Sequence, residues 1–223
     1  MTNIAHIINP VKVNESSDLY NSQFITFASI ENAKKYCNCQ AEITICTTQF
    51  EEDKSIIPNS FTVLSNLAYS ILDINKKLSG KKLPLIKDIL LKTNEVPNTD
   101  YIIYSNSDIA LMPFFYDFVI EKIKEKHDAI IINRRRISNK YNSKEQLPQM
   151  YAELGKSHPG FDCFIFKKEL LSKFNLGNIC VGIPFLEVTL IHNIIAFAKN
   201  PLFVADKHLT FHIGMEVMPK RDN

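Results

Sequence analysis

The 223-residue chain lacks the features that mark fibrous, membrane-spanning and nucleic-acid-coating proteins. It has only 6 glycines and 10 prolines, which excludes collagen-like and Pro/Gly-rich disordered sequence. Its 26 basic residues are nearly balanced by 24 acidic ones, and a net charge of +2 excludes a broad basic surface for nucleic acid or acidic membranes. No apolar run approaches the roughly 18 residues that a membrane span needs.

Signals for secretion and for a disulfide framework are also missing. The N-terminal segment MTNIAHIINPVKVNES has no apolar core of a signal peptide. The five cysteines form no disulfide-framework spacing and indicate free thiols in a reducing compartment, so we expect a cytoplasmic protein. Cys37 and Cys39 form a C-x-C pair, but zinc would require two further soft ligands, and small apolar residues at a helix end are the simpler interpretation.

Three common catalytic motifs are absent as well. There is no P-loop, no G-x-G-x-x-G turn and no G-x-S-x-G nucleophile elbow. Cys163 lies in a predicted buried strand, so a cysteine nucleophile is not supported. Any catalysis must therefore rely on residues outside these motifs.

The pattern of apolar residues alternates between strand-like and helix-like segments over the whole chain. Strands are predicted at 4–8, 42–47, 61–64, 101–104, 129–133, 161–166, 202–205 and 209–213, and helices at 22–36, 84–93, 113–126 and 184–198. Residues 138–158 are polar and predict a long loop with one helical turn. The pattern indicates an α/β fold in one domain, residues 1–223, with a mostly parallel mixed sheet flanked by helices. Ligands of such sheets bind beyond the carboxyl ends of the strands.

One such end carries a candidate binding site. The apolar strand at 101–104 runs into Ser105-Asn106-Ser107-Asp108, and in extended geometry Asn106 and Asp108 point to the same side. Carboxamide and carboxylate oxygens are suitable ligands for Mg²⁺ or Mn²⁺ bound to a diphosphate. An Asx turn or helix cap uses the same residue types and remains the alternative.

The arginines are few and clustered. Only 4 of the 26 basic residues are arginine, and three of them are adjacent, at Arg134, Arg135 and Arg136 after the strand at 129–133. Guanidinium groups bind phosphate oxygens in pairs, so we expect Arg134 and Arg136, on one side of the chain, to contact an anionic ligand. A solvated charge run is the alternative. His158 and Gly160 would lie beside the same cleft, with Gly160 letting a ligand approach the backbone.

Several segments together resemble a known family. YIIYSNSDIAL is similar to the strand and D-x-D-type metal motif of GT-A nucleotide-sugar glycosyltransferases, with Asn106-Ser107-Asp108 in place of D-x-D. INPVKVNES, KKLPLIKDIL, HPGFDCFIFKKELL, CVGIPFLEVTLIHNI and HLTFHIG resemble further parts of that superfamily in the same order. The resemblance implies a Rossmann-like GT-A fold with a donor-binding half at about 1–137 and an acceptor-side half at about 138–223.

The resemblance also implies roles for individual residues at the donor site. Asp108 would be the principal ligand of a divalent cation and the donor diphosphate, with Asn106 and Ser107 beside it and Pro10 in the turn after the first strand. His212 would complete the metal coordination, although a buried histidine satisfied by backbone groups is the alternative. Because Asn106 replaces an acidic residue, the cation would be held by one carboxylate fewer.

Two carboxylates are candidates for the general base. In related transferases a carboxylate at the position of Glu187 accepts the proton of the acceptor hydroxyl, which an inverting transfer requires. Asp162 is the second candidate. A first-turn acid that favours the helix dipole is the alternative interpretation of Glu187.

The sequence therefore predicts an enzyme, a glycosyltransferase of the hexosyltransferase type. It would use Mn²⁺ or Mg²⁺ and a nucleotide-diphosphate sugar as donor, and its acceptor would be a glycan, a lipid or a protein. A sugar nucleotidyltransferase is a second hypothesis, although the turn at 8–12 lacks the glycines that such enzymes use for phosphate. A non-catalytic nucleotide-sugar binder is a third, suggested by the replacement at Asn106.

Overall fold

Nine β-strands and seven α-helices alternate along residues 1–75, 80–205 and 207–214, the part of the chain described by a computed structural model. The strands are β1 Thr2–Ile8, β2 Ala41–Thr47, β3 Thr62–Val63, β4 Tyr101–Ser105, β5 Ala110–Leu111, β6 Ala129–Ile137, β7 Lys156–Lys167, β8 Pro201–Val204 and β9 Thr210–Ile213. The helices are α1 Asp18–Tyr36, α2 Ile71–Ile74, α3 Ile86–Lys92, α4 Phe115–Lys124, α5 Leu147–Ala152, α6 Lys168–Leu171 and α7 Leu186–Phe197. Short 3-10 turns lie at Glu51–Ile56, Thr93–Glu95 and Lys144–Gln146.

The strands form one mixed sheet in the order β3-β2-β1-β4-β7-β6-β9-β5, and β8 also pairs with β6. Strands β3, β2, β1 and β4 are parallel to one another, whereas β7 is antiparallel to both β4 and β6. β8 and β9 share one edge of β6, since β8 pairs with residues 129–132 and β9 with residues 135–137. The predicted α/β fold with a mostly parallel mixed sheet is confirmed.

Both faces of the sheet are buried under helices, which explains the apolar character of the central strands. On one face, alternate strand residues such as Ile4, Ile103 and Ile130 pack with side chains of α1 and α4. On the other face, their sequence neighbours, such as Ile102 and Ile131, pack with side chains of α3 and α7. Successive side chains of a strand point to opposite faces, so each strand contributes to both hydrophobic clusters.

Local sequence sets the limits of the longest helix. Ser17 precedes α1 in extended geometry, and its hydroxyl accepts the N–H of Leu19 at 3.3 Å. Lys34 and Lys35 lie in the last turn, where positive charge is favourable, and the helix ends as the backbone becomes extended at Cys37. In the described residues no helix is long and apolar enough to cross a membrane.

Two sequence predictions are wrong around β6. This strand continues to Ile137, so Arg134, Arg135 and Arg136 lie inside it rather than after it, because β7 and β9 pair with it there. The ladder to β7 shifts register around Asn133, at a bulge. The predicted loop at 138–158 contains the 3-10 turn and α5, and β7 begins at Lys156, since its first residues pair with Arg135 and Arg136.

The cysteines differ from the prediction at one pair. Cys37 and Cys39, just beyond α1, form a disulfide, whereas Cys46, Cys163 and Cys180 are free and buried. The Cys37 sulfur and the Asn38 N–H also approach the Asp117 carboxylate in the first turn of α4, at 3.4 and 3.0 Å. The position at a helix end was predicted; the disulfide was not.

Candidate active site

The predicted site residues meet at one edge of the sheet. The carboxyl ends of β1 and β4 lie there because these strands are parallel, and the first half of β7 lies there because β7 runs the other way. Ser105 at the end of β4 is paired with Cys163 of β7. Asn106 therefore faces Asp162, although 56 residues separate them in sequence.

Asn106 is held by hydrogen bonds on both sides of its carboxamide. Its oxygen accepts the hydroxyl of Tyr104 at 2.9 Å, and its nitrogen donates to Asp162 Oδ1 at 3.3 Å. Tyr104 is fully buried, which raises the pKa of its hydroxyl and keeps it a donor. An aspartate at position 106 would place a second carboxylate against Asp162, so the amide avoids a repulsion between like charges.

Asp108 is paired with His212, which β9 brings to the site. The Nε2 atom of His212 lies 3.3 Å from Asp108 Oδ2, and both side chains are partly exposed. Burial alone raises the pKa of Asp108, but the hydrogen bond from His212 and the charges of His212 and Arg134 outweigh it and lower the pKa. Asp108 is therefore an anion that already has a basic partner.

Arg134 forms an ion pair with Asp162 inside the site. The Nη1 atom lies 2.6 Å from Asp162 Oδ2, and both side chains are largely buried. Burial raises the pKa of Asp162 to about 6; the Arg134 charge opposes this rise, while the negative charges of Asp108 and Glu187 add to it. Asp162 thus changes its protonation state close to neutral pH.

Glu187 is fixed against the backbone of β7. It lies in the first turn of α7, and its Oε2 accepts the N–H of Phe161 at 3.0 Å. A Cβ atom at residue 160 would lie 2.6 Å from this oxygen and 2.9 Å from Cε1 of His158. The close approach predicted at Gly160 is therefore made by the protein's own side chains.

His158 connects this segment to Arg134. Its Nδ1 accepts the N–H of Gly160 at 2.8 Å, and its Nε2 lies 3.2 Å from Nη2 of Arg134. Burial, together with the Arg134 charge, lowers the pKa of His158, so the imidazole is neutral at neutral pH. The Arg134 guanidinium thus lies within hydrogen-bonding distance of both the Asp162 carboxylate and the neutral His158 imidazole.

A small cavity opens beside these residues. Its volume is about 180 Å³, and its polar lining residues are Asn106, Asp162 and Glu187. The other lining residues are apolar or glycine: Phe161, Phe164, Gly182, Ile183, Pro184, Phe185 and Leu186. The cavity is therefore lined mostly by apolar residues with a few polar groups among them.

The remaining predicted residues have different positions. Ser107 lies in the turn between Asn106 and Asp108, which the Ile109 N–H closes onto the Asn106 carbonyl at 3.1 Å. Pro10 is buried at the carboxyl end of β1, at the same edge of the sheet. The Nη2 atom of Arg136 donates to the Ser157 carbonyl at 3.1 Å, so this contact links β6 to β7 and is not made with the cluster.

Two functional candidates escaped the sequence analysis, Tyr104 and Phe185. Tyr104 is two residues before Asn106 on the same strand face, and this spacing could have identified it. Phe185 has a left-handed backbone, with φ 77 and ψ −1, that no motif signals. A buried polar residue, His6, was also missed: it lies between the hydroxyls of Tyr116 and Ser105 at 2.7 and 2.9 Å, and burial lowers its pKa to about 3. Its hydrogen bonds support the end of β4 directly before the site.

Few side chains in the described residues are placed to bind a metal ion. Cys37, Cys39 and Asp117 bring three possible ligand atoms together away from this site, but the two cysteines form a disulfide and so offer no thiolate. At the site itself, Asp108 and His212 offer two ligands, and the oxygen of Asn106 is engaged by Tyr104. Two protein ligands suit Mg²⁺ or Mn²⁺, which take remaining ligands from phosphate and water.

Solved structures of S. aureus TarS share this fold. TarS 1-349 in complex with UDP-GlcNAc aligns over 97% of this chain with a TM-score of 0.56 and 11% identity, and TarS 1-349 alone aligns over 96% with 0.57 and 12%. The chain spans 59% and 60% of the lengths of those two chains. No protein-family model and no curated protein matches the sequence. The chain therefore has the fold of the TarS structures, and the α/β fold that the resemblance implied is confirmed.

Proposed function

We propose that this protein transfers a sugar from a nucleotide-diphosphate sugar to an acceptor hydroxyl. The observation that carries the proposal is the cluster of Asn106, Asp108, Arg134, Asp162, Glu187 and His212 at one sheet edge; three of them, Asn106, Asp162 and Glu187, line a cavity of about 180 Å³. These residues come from five separate elements, and ligands of α/β sheets bind beyond the carboxyl ends of the parallel strands. The TarS complex with UDP-GlcNAc supports a nucleotide-sugar ligand for this fold.

In this proposal Asp108 and His212 hold a divalent cation together with the donor diphosphate. Their ligand atoms, 3.3 Å apart, are of the types that Mn²⁺ and Mg²⁺ accept. When bound, the cation neutralises the charge that develops on the departing diphosphate. Ser107 and Pro10 lie where the donor would run along the same edge, and Arg134 adds positive charge beside Asp108.

Glu187 is the proposed general base. Its Oε2 is fixed by the Phe161 N–H, and the carboxylate lines the cavity. It would take the proton of the acceptor hydroxyl as the acceptor oxygen bonds to the sugar carbon and the bond from that carbon to the diphosphate breaks. Asp162 is already engaged by Arg134 and Asn106, so we assign it a positioning role. A base on the opposite side of the sugar from the leaving group gives inversion.

Turnover with a panel of donors tests the proposal. The protein is incubated with Mn²⁺ and UDP-, GDP- or CDP-sugars, and release of nucleoside diphosphate is measured with and without candidate acceptors. Release with at least one donor is expected. No release and no thermal stabilisation by any of these nucleotides would contradict the proposal.

Asp108→Asn tests the donor site. We expect nucleoside diphosphate binding in Mn²⁺ to weaken at least tenfold, because the variant loses the one carboxylate of the proposed metal site. Asp100→Asn is the matched control, since Asp100 is exposed at the opposite end of β4 and its replacement can still accept the Asn3 N–H. Equal affinities of the two variants, measured by calorimetry, would exclude this cation site.

Glu187→Gln tests the base. We expect donor binding to be retained and transfer to slow by about 10²- to 10⁴-fold, the usual contribution of a general base. Glu42→Gln is the matched control, because Glu42 is exposed near the amino end of β2, at the other edge of the sheet. An unchanged rate would mean that Asp162 is the general base or that the reaction is retaining.

A further inference from the structure

Phe185, which lines the cavity, combines two unfavourable features. Its φ of 77 places a bulky side chain in the left-handed region that favours glycine or asparagine. Its side chain is 70% exposed, so burial does not offset the backbone strain. Strained backbone of this kind persists where surrounding structure enforces it, and it clusters at ligand-binding sites.

Other exposed apolar residues are close to Phe185 in the sequence, next to the proposed base. Ile183 and Val188 are also exposed large hydrophobic residues, and Glu187 is two positions further along α7. Phe185 lines the same cavity as Asn106, Asp162 and Glu187. A ligand in this cavity would therefore meet both an aromatic side chain and carboxylates.

The combination of an aromatic side chain with carboxylates limits which kinds of ligand suit this cavity. A pyranose ring has C–H groups on one face, which stack on an aromatic side chain, and hydroxyls around its edge, which donate to carboxylates. An alkyl chain would leave the largely buried carboxylate of Asp162 facing hydrocarbon, which is costly. A nucleoside diphosphate would bring its negative charge against Asp162 and Glu187.

We propose that Phe185 is the stacking platform for a pyranose ring of the acceptor, so that the acceptor is a saccharide and not a lipid or a peptide. The inference rests on the proposed function, since it places the acceptor hydroxyl beside Glu187. Phe185 would determine acceptor specificity and would not contact the donor diphosphate. Loss of the aromatic ring is expected to raise the acceptor KM about tenfold, with little change in nucleotide binding.

The chain has no tryptophan, so Phe185→Trp introduces a unique fluorescent reporter at the platform. The probes are methyl glycosides of glucose, galactose, mannose and N-acetylglucosamine, with UDP and Mn²⁺ present to fill the donor site. We expect saturable changes in emission with at least one glycoside. Tyr36→Trp is the control, because Tyr36 is 54% exposed at the far end of α1, and its emission should not respond.

Further ligands test whether the platform binds the donor, an alkyl chain or a peptide instead of an acceptor sugar. A response to UDP-sugars without UDP, and none to methyl glycosides, would assign the platform to the donor and overturn the proposal. A response to an octyl chain or a short serine peptide, and not to glycosides, would overturn it as well. Thermal stabilisation by UDP and Mn²⁺ is followed in parallel, and its absence would reject the proposed function itself.

Kinetic variants provide a second readout when an acceptor sugar is known. Phe185→Leu keeps an apolar side chain without the aromatic face and should raise the acceptor KM, while Phe185→Tyr should restore it. The kcat and the donor KM should stay within about twofold. A loss of kcat in both variants would mean that Phe185 supports the fold of the site and does not bind the acceptor.

Discussion

The protonation of Asp162 offers the sharpest physical test of the site. Burial raises its pKa to about 6 from the ordinary value of 3.8, although Arg134 lies 2.6 Å away. The folded protein therefore holds this proton more tightly than the unfolded chain does. Replacement by the neutral isostere, Asp162→Asn, removes the titration and keeps the shape of the side chain.

The expected size follows from the difference in pKa. Because a tenfold change in a proton equilibrium corresponds to about 1.4 kcal/mol, ionised Asp162 lowers the free energy of unfolding by about 3 kcal/mol at neutral pH. The stability contributed by this carboxyl is present below about pH 4, decreases as the pH rises through 6, and levels off above about pH 7. About 2 kcal/mol of the change falls between about pH 4.5 and pH 7.5.

Urea unfolding of the two proteins at several pH values measures this difference. The free energy of unfolding of Asp162→Asn should increase relative to the unsubstituted protein by about 2 kcal/mol over that range. Asp100→Asn corrects for the general effect of exchanging an aspartate for an asparagine. A difference that stays constant with pH would refute the conclusion that burial outweighs the attraction of Arg134.

Two further predictions concern the residues around the cavity. Gly160→Ala should destabilise the fold by about 1–3 kcal/mol in urea unfolding, because its Cβ would lie 2.6 Å from Glu187 Oε2. Adding Glu187→Ala should recover part of this loss, and strictly additive effects would contradict the steric explanation. Phe185→Gly should raise the free energy of unfolding by about 1 kcal/mol and the Tm by roughly 2–4 °C through relief of left-handed strain. A destabilised variant would mean that the exposed ring contributes to packing.

Much of the fold could be predicted because its signals are local. Each predicted strand and helix overlaps an observed one, since buried strands such as β4 are uninterrupted apolar runs and α3 follows Pro84. The extension of β6 to Ile137 could not be predicted, because charged residues rarely indicate a strand. Its pairing with β7 and β9 is a non-local interaction, and the side chain of Arg135 is satisfied by the Leu154 and Gly155 carbonyls.

In the candidate site, too, residues in local sequence patterns could be predicted, whereas contacts between distant segments could not. Asn106 and Asp108 could be recognised from their place after an apolar strand, and His212 from the resemblance, and the structure brings Asp108 and His212 together. The partners of Asp162 could not be foreseen, because its contact with Arg134 depends on the register between two antiparallel strands. The left-handed backbone of Phe185 also has no local signal, since phenylalanine does not favour it.

The contacts that hold the site are connected in series. Tyr104 bonds to Asn106, Asn106 to Asp162, Asp162 to Arg134, and Arg134 approaches His158. A substitution at any of these positions changes the partner of the next residue, so single-site effects will not sum to the effect of a combined variant. Double-mutant cycles between Tyr104 and Arg134 should therefore give coupling energies even though no direct bond joins the two side chains. Evolution of a new specificity here would favour paired replacements, because one change alone leaves a buried polar group without its partner.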